Sequence, residues 1–452
     1  MRGHDMKQLF GIVVLLFSLV NNTPADEPVV TVTNQNLAYV RESRTVELKS
    51  GISEYQLSGF PALMDPASCQ FNPGTDAFRL IDYVFDSDFS EPDRLLQRAV
   101  NSTLSVFSDQ GQVRGKLVAF DGGYLYLETS DGTLNAIPRS VQNRIAFDEL
   151  GKNYTGVPTL RVKAAGAGSG DTNLRISYLT EGMDWTAYYT ALYDEVSSTV
   201  DLSARISVDN HAGKSFHQAR LRLLSGSLHK AGGGGRTPRL QKSKESVMGF
   251  LTAPGEAKDL SEFKVFDIPQ PVDLPDQQTS LITFIKPGKL KVAKQFIYDY
   301  QIDPDGVSVS LIGKNDKSSG PGTPLPEGVV NIYITGDQTE YIGADNLPRI
   351  PVGEKITIRI GQTYDVRAER KILEQKKLSD RSEQMTVQVE LRNHKEESIE
   401  IVVNEPVPYY RSYEIVRSSH PVAEHNARSF SFKIPVSANK TETLTYTILY
   451  SW

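Results

Sequence analysis

Two short runs of metal-ligand side chains are the first candidates for chemistry. His420 and His425 flank a loop that also holds Glu424. Two imidazoles and a carboxylate are a donor set that zinc accepts. Asp86, Asp88, Glu91 and Asp93 crowd an acidic loop, and carboxylates at alternating positions suit calcium. The loop lacks the glycine and the distal glutamate of an EF-hand. His420, His425, Asp86 and Asp88 are therefore the metal candidates. Against each stands a solvated surface loop, which is the usual state of isolated histidines and of acidic runs. His211 and His217 stand six apart across an expected turn. His394-Lys-Glu-Glu lacks the second histidine that the zinc-protease motif requires four residues on.

Nucleophilic chemistry has fewer candidates still. Cys69 is the single cysteine, set among apolar and turn residues, where a thiol is usually a small buried hydrophobe. No Gly-x-Ser-x-Gly elbow occurs, which argues against an α/β-hydrolase. A pair of carboxylates for glycoside hydrolysis is assembled in space and leaves no linear signature. The segment 231–244 combines four consecutive glycines with Arg236, Arg239, Lys242 and Lys244. A loop of this kind can cradle phosphate, but it lacks the Gly-Lys-Ser/Thr ending of a P-loop, and a disordered excursion within 226–260 is the favoured reading. No catalytic residue and no cofactor follow from the sequence.

The elements that would position such residues are strands. The chain has 452 residues, 39% hydrophobic and 23% charged, as expected of a globular protein with real cores. The net charge of −6 gives no electrostatic reason to bind nucleic acid. Residues 9–20 form an apolar run behind Lys7, and Thr23-Pro-Ala25 offers small residues for cleavage, so residues 1–25 read as a secretory signal. The run is too short to span a bilayer comfortably, so no transmembrane span is expected after cleavage. A lone cysteine excludes an intrachain disulfide. An exported protein without one fits a bacterial envelope, with a periplasmic or cell-surface location.

Alternating apolar residues recur from Val29 to Tyr450. Residues 26–93 read as an N-terminal β segment, with the strand over 37–48 broken near Glu42-Ser43. Residues 94–150 read as a module of four short strands with two Asp-Gly turns, preceded by a helix over 92–100. Its size suggests a small SH3-like or Sm-like barrel. Residues 164–170 read as a flexible link. The stretch 174–193 reads as a hairpin turning at Glu181-Gly182, with Trp185 as a core anchor. Strands continue to the last residues. A long hairpin is favoured over a helix across 367–391, and Ile399, Ile401 and Val403 are expected to pair with 385–391. The fold class is mostly β: antiparallel β-sandwich domains over 155–452 with the small barrel inserted.

Ile176-Ser-Tyr-Leu, Gly182-Met-Asp-Trp185-Thr-Ala-Tyr188, Leu221-Arg-Leu-Leu-Ser225, Glu405-Pro-Val-Pro408 and Thr445-Tyr-Thr-Ile-Leu-Tyr450 carry a family resemblance. Together they resemble a domain of unknown function found in mucoidy-inhibitor-like exported proteins. The first 150 residues depart from that architecture, which has a helical coiled-coil region upstream. The resemblance implies no known reaction. The expectation is a non-enzymatic cell-envelope protein whose loops and sheet edges meet a protein or polysaccharide partner. The alternative is a hydrolase of envelope glycan or peptide with a carboxylate or histidine site assembled in space.

Overall fold

The computed structural model describes residues 18–19, 27–74, 78–87, 92–109, 111–148, 157–226, 257–260 and 263–452. Strands hold 70% of the described residues and helix 2%, so the described chain is mostly β, and none of its sheets is closed among the described residues. No described helix is long and apolar enough to cross a membrane. Apart from the two-residue strand Ser18–Leu19, which pairs in parallel with Gly51–Ser58, the expected signal lies outside the described residues. So does most of the glycine-rich basic segment.

The chain divides into two compact units, 1–184 with 209–280, and 185–208 with 281–452. In the first, an eight-stranded sheet includes the consecutive strands Phe216–Ser225, Val29–Thr33, Ala38–Leu48, Gly170–Thr180 and Met64–Asn72. A second sheet carries Gly51–Ser58, Thr159–Gly166 and Phe78–Asp86. Val30, Val32, Val40, Val46, Tyr55, Leu57, Leu160, Val162, Ile176 and Tyr178 are all buried, as period-two alternation requires of one-sided strands. Phe216–Ser225 runs parallel to Val29–Thr33, so the sheet is mixed where an antiparallel one was expected.

Residues 92–148 form a helix and a separate five-stranded sheet with a core of their own. The helix Pro92–Ala99 places Leu96 and Ala99 against Leu104, Val106, Leu117, Leu125, Leu127 and Ile137. The four expected strands are present, with a fifth at Arg144–Phe147, in the order Leu134–Pro138, Tyr124–Glu128, Gly111–Phe120, Thr103–Ser108, Arg144–Phe147. This sheet is open: its two outer strands each have one described neighbour. Asp121 accepts from the amides of Gly123 and Tyr124, which fixes the first Asp-Gly turn. A Cβ on Gly115 would lie 2.7 Å from the Glu128 carbonyl oxygen, so glycine there permits close strand approach.

Three sequence expectations are corrected here. Ala38–Leu48 is one unbroken strand in continuous register with Gly170–Thr180. Glu42 and Arg44 share the parity of Val40 and Val46 and point inward with them. Residues 164–166 belong to the strand Thr159–Gly166 and the next strand starts at Gly170, so this stretch is a tight turn rather than a flexible link. The 174–193 stretch is not a hairpin. Gly170–Thr180 pairs with Ala38–Leu48 and Met64–Asn72, whereas Met183–Asp194 pairs in parallel with Gly328–Thr335 in another sheet.

Gly182 is the hinge of that change of sheet. Its φ is +84°, and a Cβ would meet the His211 carbonyl oxygen at 2.7 Å. Gly182→Ala is expected to destabilise the first unit by about 1–3 kcal/mol through left-handed strain, with the steric contact adding to it. Faster hydrogen exchange of amides in Gly170–Thr180 would register the loss.

The second unit contains a long mixed sheet running from Thr339–Leu347 through Met183–Asp194, Gln278–Asp299, Gly306–Lys314, Lys355–Ser379, Ser382–Asn393 and Lys440–Ser451 to Ser412–Ser418. The long hairpin expected over 367–391 is present. Ile399–Pro406 does not join it. That strand pairs in parallel with Gln278–Asp299 and antiparallel with Ser429–Val436. The two sets of strands enclose one core, including Tyr298, Val387, Val389, Ile401, Phe430, Phe432, Tyr446 and Ile448. Phe430 is its aromatic centre, edge-to-face with Phe432 and Tyr446. Trp185 is buried, as its expected anchoring role requires.

Candidate functional site

Two prolines start the site. Pro406 ends the strand Ile399–Pro406, and Pro408 follows two residues later. Neither has an N–H to continue a ladder. The chain turns, with the Arg411 amide donating to the Pro408 carbonyl at 3.0 Å. This turn leaves Tyr409 and Tyr410 83% and 68% exposed. Strand Ser412–Ser418 leaves the turn along one sheet edge, and Val422–Asn426 returns along another. Asn426 Oδ1 accepts from the amides of Arg428 and Ser429, an Asx turn that carries Arg428 back to Tyr409. Trp452 follows the strand Lys440–Ser451.

These segments line a groove of about 1000 Å³. The Arg428 guanidinium lies 4.0 Å from the Tyr409 ring centroid and donates to the Tyr409 carbonyl. The Arg411 guanidinium sits 4.8 Å from the Trp452 ring centroid, 5.2 Å from that of Tyr450 and 5.5 Å from that of Tyr410. Cations over aromatic faces are attracted by the ring quadrupole. Arg411 Nη1 is 3.6 Å from Glu383, while its buried Nε has no hydrogen-bond partner among the described residues. Tyr413 stacks on Phe430 at 5.2 Å, and its hydroxyl donates to the carbonyls of Asn426 and Ser429. Burial raises the Tyr413 phenol and pushes that of Tyr450 up to about 12. Both therefore stay neutral donors at physiological pH. His425, Asn426, Ser412 and Ser451 add to the polar lining, which includes no Asp or Glu side chain among the described residues.

Two charged clusters lie inside the sheets. In the first unit Glu42 accepts from Lys214 Nζ at 2.7 Å, from Arg44 at 3.1 Å and from the Tyr178 hydroxyl at 3.0 Å. Burial alone would raise the Glu42 carboxyl, but the Lys214 ammonium and the Arg44 guanidinium outweigh it and hold it below the ordinary range. In the second unit Glu405 faces Arg370, with Nε 3.2 Å from Oε1 and Nη2 3.4 Å from the Tyr446 hydroxyl. Burial raises the Glu405 carboxyl more than Arg370 lowers it. Both carboxylates are closed to solvent by their cations and by packing. General acid–base catalysis needs a group within reach of a substrate, so these are structural pairs.

The metal candidates are dispersed. Asp86 is buried and paired with Arg98 of the helix, Nη1 to Oδ2 at 3.0 Å, so it ties the helix to the strand Phe78–Asp86. Asp88 lies outside the described residues. His420 contacts Ser419 Oγ at 2.9 Å and stands 3.8 Å from Glu442. His425 lines the groove, and its strand neighbour Glu424 points to the opposite face by alternation. Among the described residues no group of three or more His, Cys, Asp or Glu side chains comes together. Cys69 is half-buried, its thiol 3.9 Å from the Met64 sulfur. Burial and Asp65 push the thiol up to about 12, far from a nucleophile's range.

The groove residues Tyr409, Tyr410, Arg411, Arg428 and Trp452 carried no signal in the search for catalytic motifs. Their one linear trace is Pro-Tyr-Tyr-Arg after a strand, a turn that exposes two large aromatics. Comparison with curated proteins gives no match. A family model described as Domain of unknown function (DUF4139) matches residues 174–452, starting later than the resemblance over 155–452 suggested and taking in the whole groove. The chain belongs to this family of domains of unknown function.

Proposed function

We propose that the protein is a non-enzymatic, exported cell-envelope binding or scaffolding module, of the mucoidy-inhibitor-like kind, whose groove on the second unit meets its partner. The carrying observation is the groove's composition. Tyr, Trp and Arg are the residues that dominate binding energy at protein interfaces, and here they are grouped around one groove whose described lining holds no Asp or Glu side chain, with Glu383 beside Arg411 at 3.6 Å. Three aromatics left in solvent cost solubility, so their clustering points to a surface that becomes covered. The open sheet edges beside them add main-chain donors and acceptors. The well-packed carboxylates Glu42 and Glu405 support a structural reading of the acidic residues over a hydrolytic one.

Co-sedimentation with washed envelopes of the source cells tests this. Wild-type protein is expected to pellet with the membrane and wall material. Tyr410→Ala with Arg428→Gln is expected to reduce the bound fraction roughly tenfold or more, since hot-spot losses of this kind are of that order. Equal retention of variant and wild type would remove the groove from the function.

A further inference from the structure

The two strands beside the groove are edges. Ser412–Ser418 ends its sheet, with Lys440–Ser451 as its one described neighbour. Val422–Asn426 likewise pairs with Ser429–Val436 alone. An edge presents a row of unpaired amides and carbonyls, which an extended chain can complete as an added strand. Next to this edge stand two guanidinium groups, Arg411 and Arg428; the described lining holds no Asp or Glu side chain, and Glu383 lies 3.6 Å from Arg411 Nη1, which leaves Arg428 without a carboxylate in the groove. The Nε of Arg411 is buried and has no hydrogen-bond acceptor among the described residues. A buried donor in that state is costly, and an incoming ligand oxygen is one group that can relieve the cost. The guanidinium groups lie over the aromatic rings, so one face of Tyr409 is already covered by Arg428 at 4.0 Å. That arrangement leaves less ring surface for a sugar to stack on and presents N–H donors in its place.

We propose that the groove takes an extended acidic segment of a partner protein, which pairs its backbone with the Ser412–Ser418 edge and sets its carboxylates against Arg411 and Arg428. The inference rests on the binding function above and names the partner's chemistry. A carboxylate meets a guanidinium with two parallel hydrogen bonds, which fixes register as well as charge. The aromatic rim shields those pairs from water and screening ions.

The test uses the full chain and three polymers matched in charge. Poly-L-glutamate has carboxylates on a peptide backbone, polyacrylate has carboxylates without one, and polygalacturonate has them on a glycan. Calorimetry is expected to show poly-L-glutamate binding at low salt, with polyacrylate and polygalacturonate about tenfold weaker or worse. Tyr410→Ala with Arg428→Gln is expected to weaken poly-L-glutamate binding about tenfold, with an unchanged melting temperature. Lys376→Gln with Lys377→Gln, on the exposed end of the long hairpin, is expected to stay within about twofold of wild type. Absence of poly-L-glutamate binding would overturn the proposal. So would equal or tighter binding of polyacrylate or polygalacturonate, the latter assigning the groove to acidic glycans. Insensitivity to the groove substitutions would overturn it as well. If envelope retention depends on the groove while poly-L-glutamate fails, the binding function stands and only the partner's chemistry falls.

Discussion

Lys214→Met is expected to destabilise the first unit by about 3–5 kcal/mol, the usual cost of stranding one member of a buried ion pair. The ammonium is the nearer of the two cations on Glu42, at 2.7 Å against 3.1 Å for Arg44. The same ammonium lies over the rings of Phe60 and Phe216, whose centroids are 5.8 and 5.2 Å from Nζ. Methionine keeps much of the side chain's bulk and removes the charge, so the loss is electrostatic. The sign of the pH dependence follows from the depressed Glu42 carboxyl. Its contribution is fully present above the unfolded value of about 4.3 and disappears as pH falls through the folded value. Lys214→Met is therefore expected to cost most near neutrality and least in acid. Both tryptophans lie in the second unit, so fluorescence is blind to this change. Hydrogen exchange of the Ala38–Leu48 amides reads it directly. Replacing Glu42, Arg44 and Lys214 together by Leu, Leu and Met is expected to restore most of the loss, because no buried charge is left unpaired.

Arg370→Met is expected to cost the second unit about 3–5 kcal/mol at pH 7 for the same reason. Here the pH dependence follows Glu405, whose carboxyl sits above its ordinary value because of burial. A raised acid binds its proton more tightly in the folded state, so stability falls as pH rises between the unfolded and folded values. Removing Arg370 raises that carboxyl further and widens the window. The variant should thus approach wild-type stability near pH 4, where Glu405 is protonated, and lose progressively above it. Urea unfolding followed by tryptophan fluorescence at pH 4 and pH 7 separates the two cases. A loss of equal size at both would mean that Arg370 acts through packing on Tyr300, 4.2 Å away, rather than through charge.

These clusters show where the sequence was readable and where it was not. Alternation alone located Ile356 and Ile358, Val387 and Val389, Phe430 and Phe432, and Leu444 to Tyr450, because a strand with one buried face must repeat every two residues. The same rule misread 38–48. Glu42 and Arg44 occupy inward positions, so the pattern seemed to break, and the cation that makes the site tolerable comes from Lys214, 172 residues away. Pairing was harder to read than strand position. Residues 174–180 and 183–194 alternate well and are adjacent, yet they join different sheets, since the partner of a strand is fixed by long-range register. Parallel neighbours such as Phe216–Ser225 with Val29–Thr33 leave no local mark. The groove was half legible. Pro408-Tyr409-Tyr410 announces a turn with exposed aromatics, but its meeting with Arg428 and Trp452 is a product of the fold.

A groove that binds the partner and buried charges that hold the fold together can be separated by mutation. The most direct measurement sets melting temperature beside envelope retention for two variants at a temperature where both are folded. Arg370→Met is expected to melt lower and bind envelopes as wild type does, and Tyr410→Ala with Arg428→Gln is expected to melt as wild type and lose retention. Loss of retention in the folded Arg370→Met protein, with full retention by the groove variant, would contradict that separation.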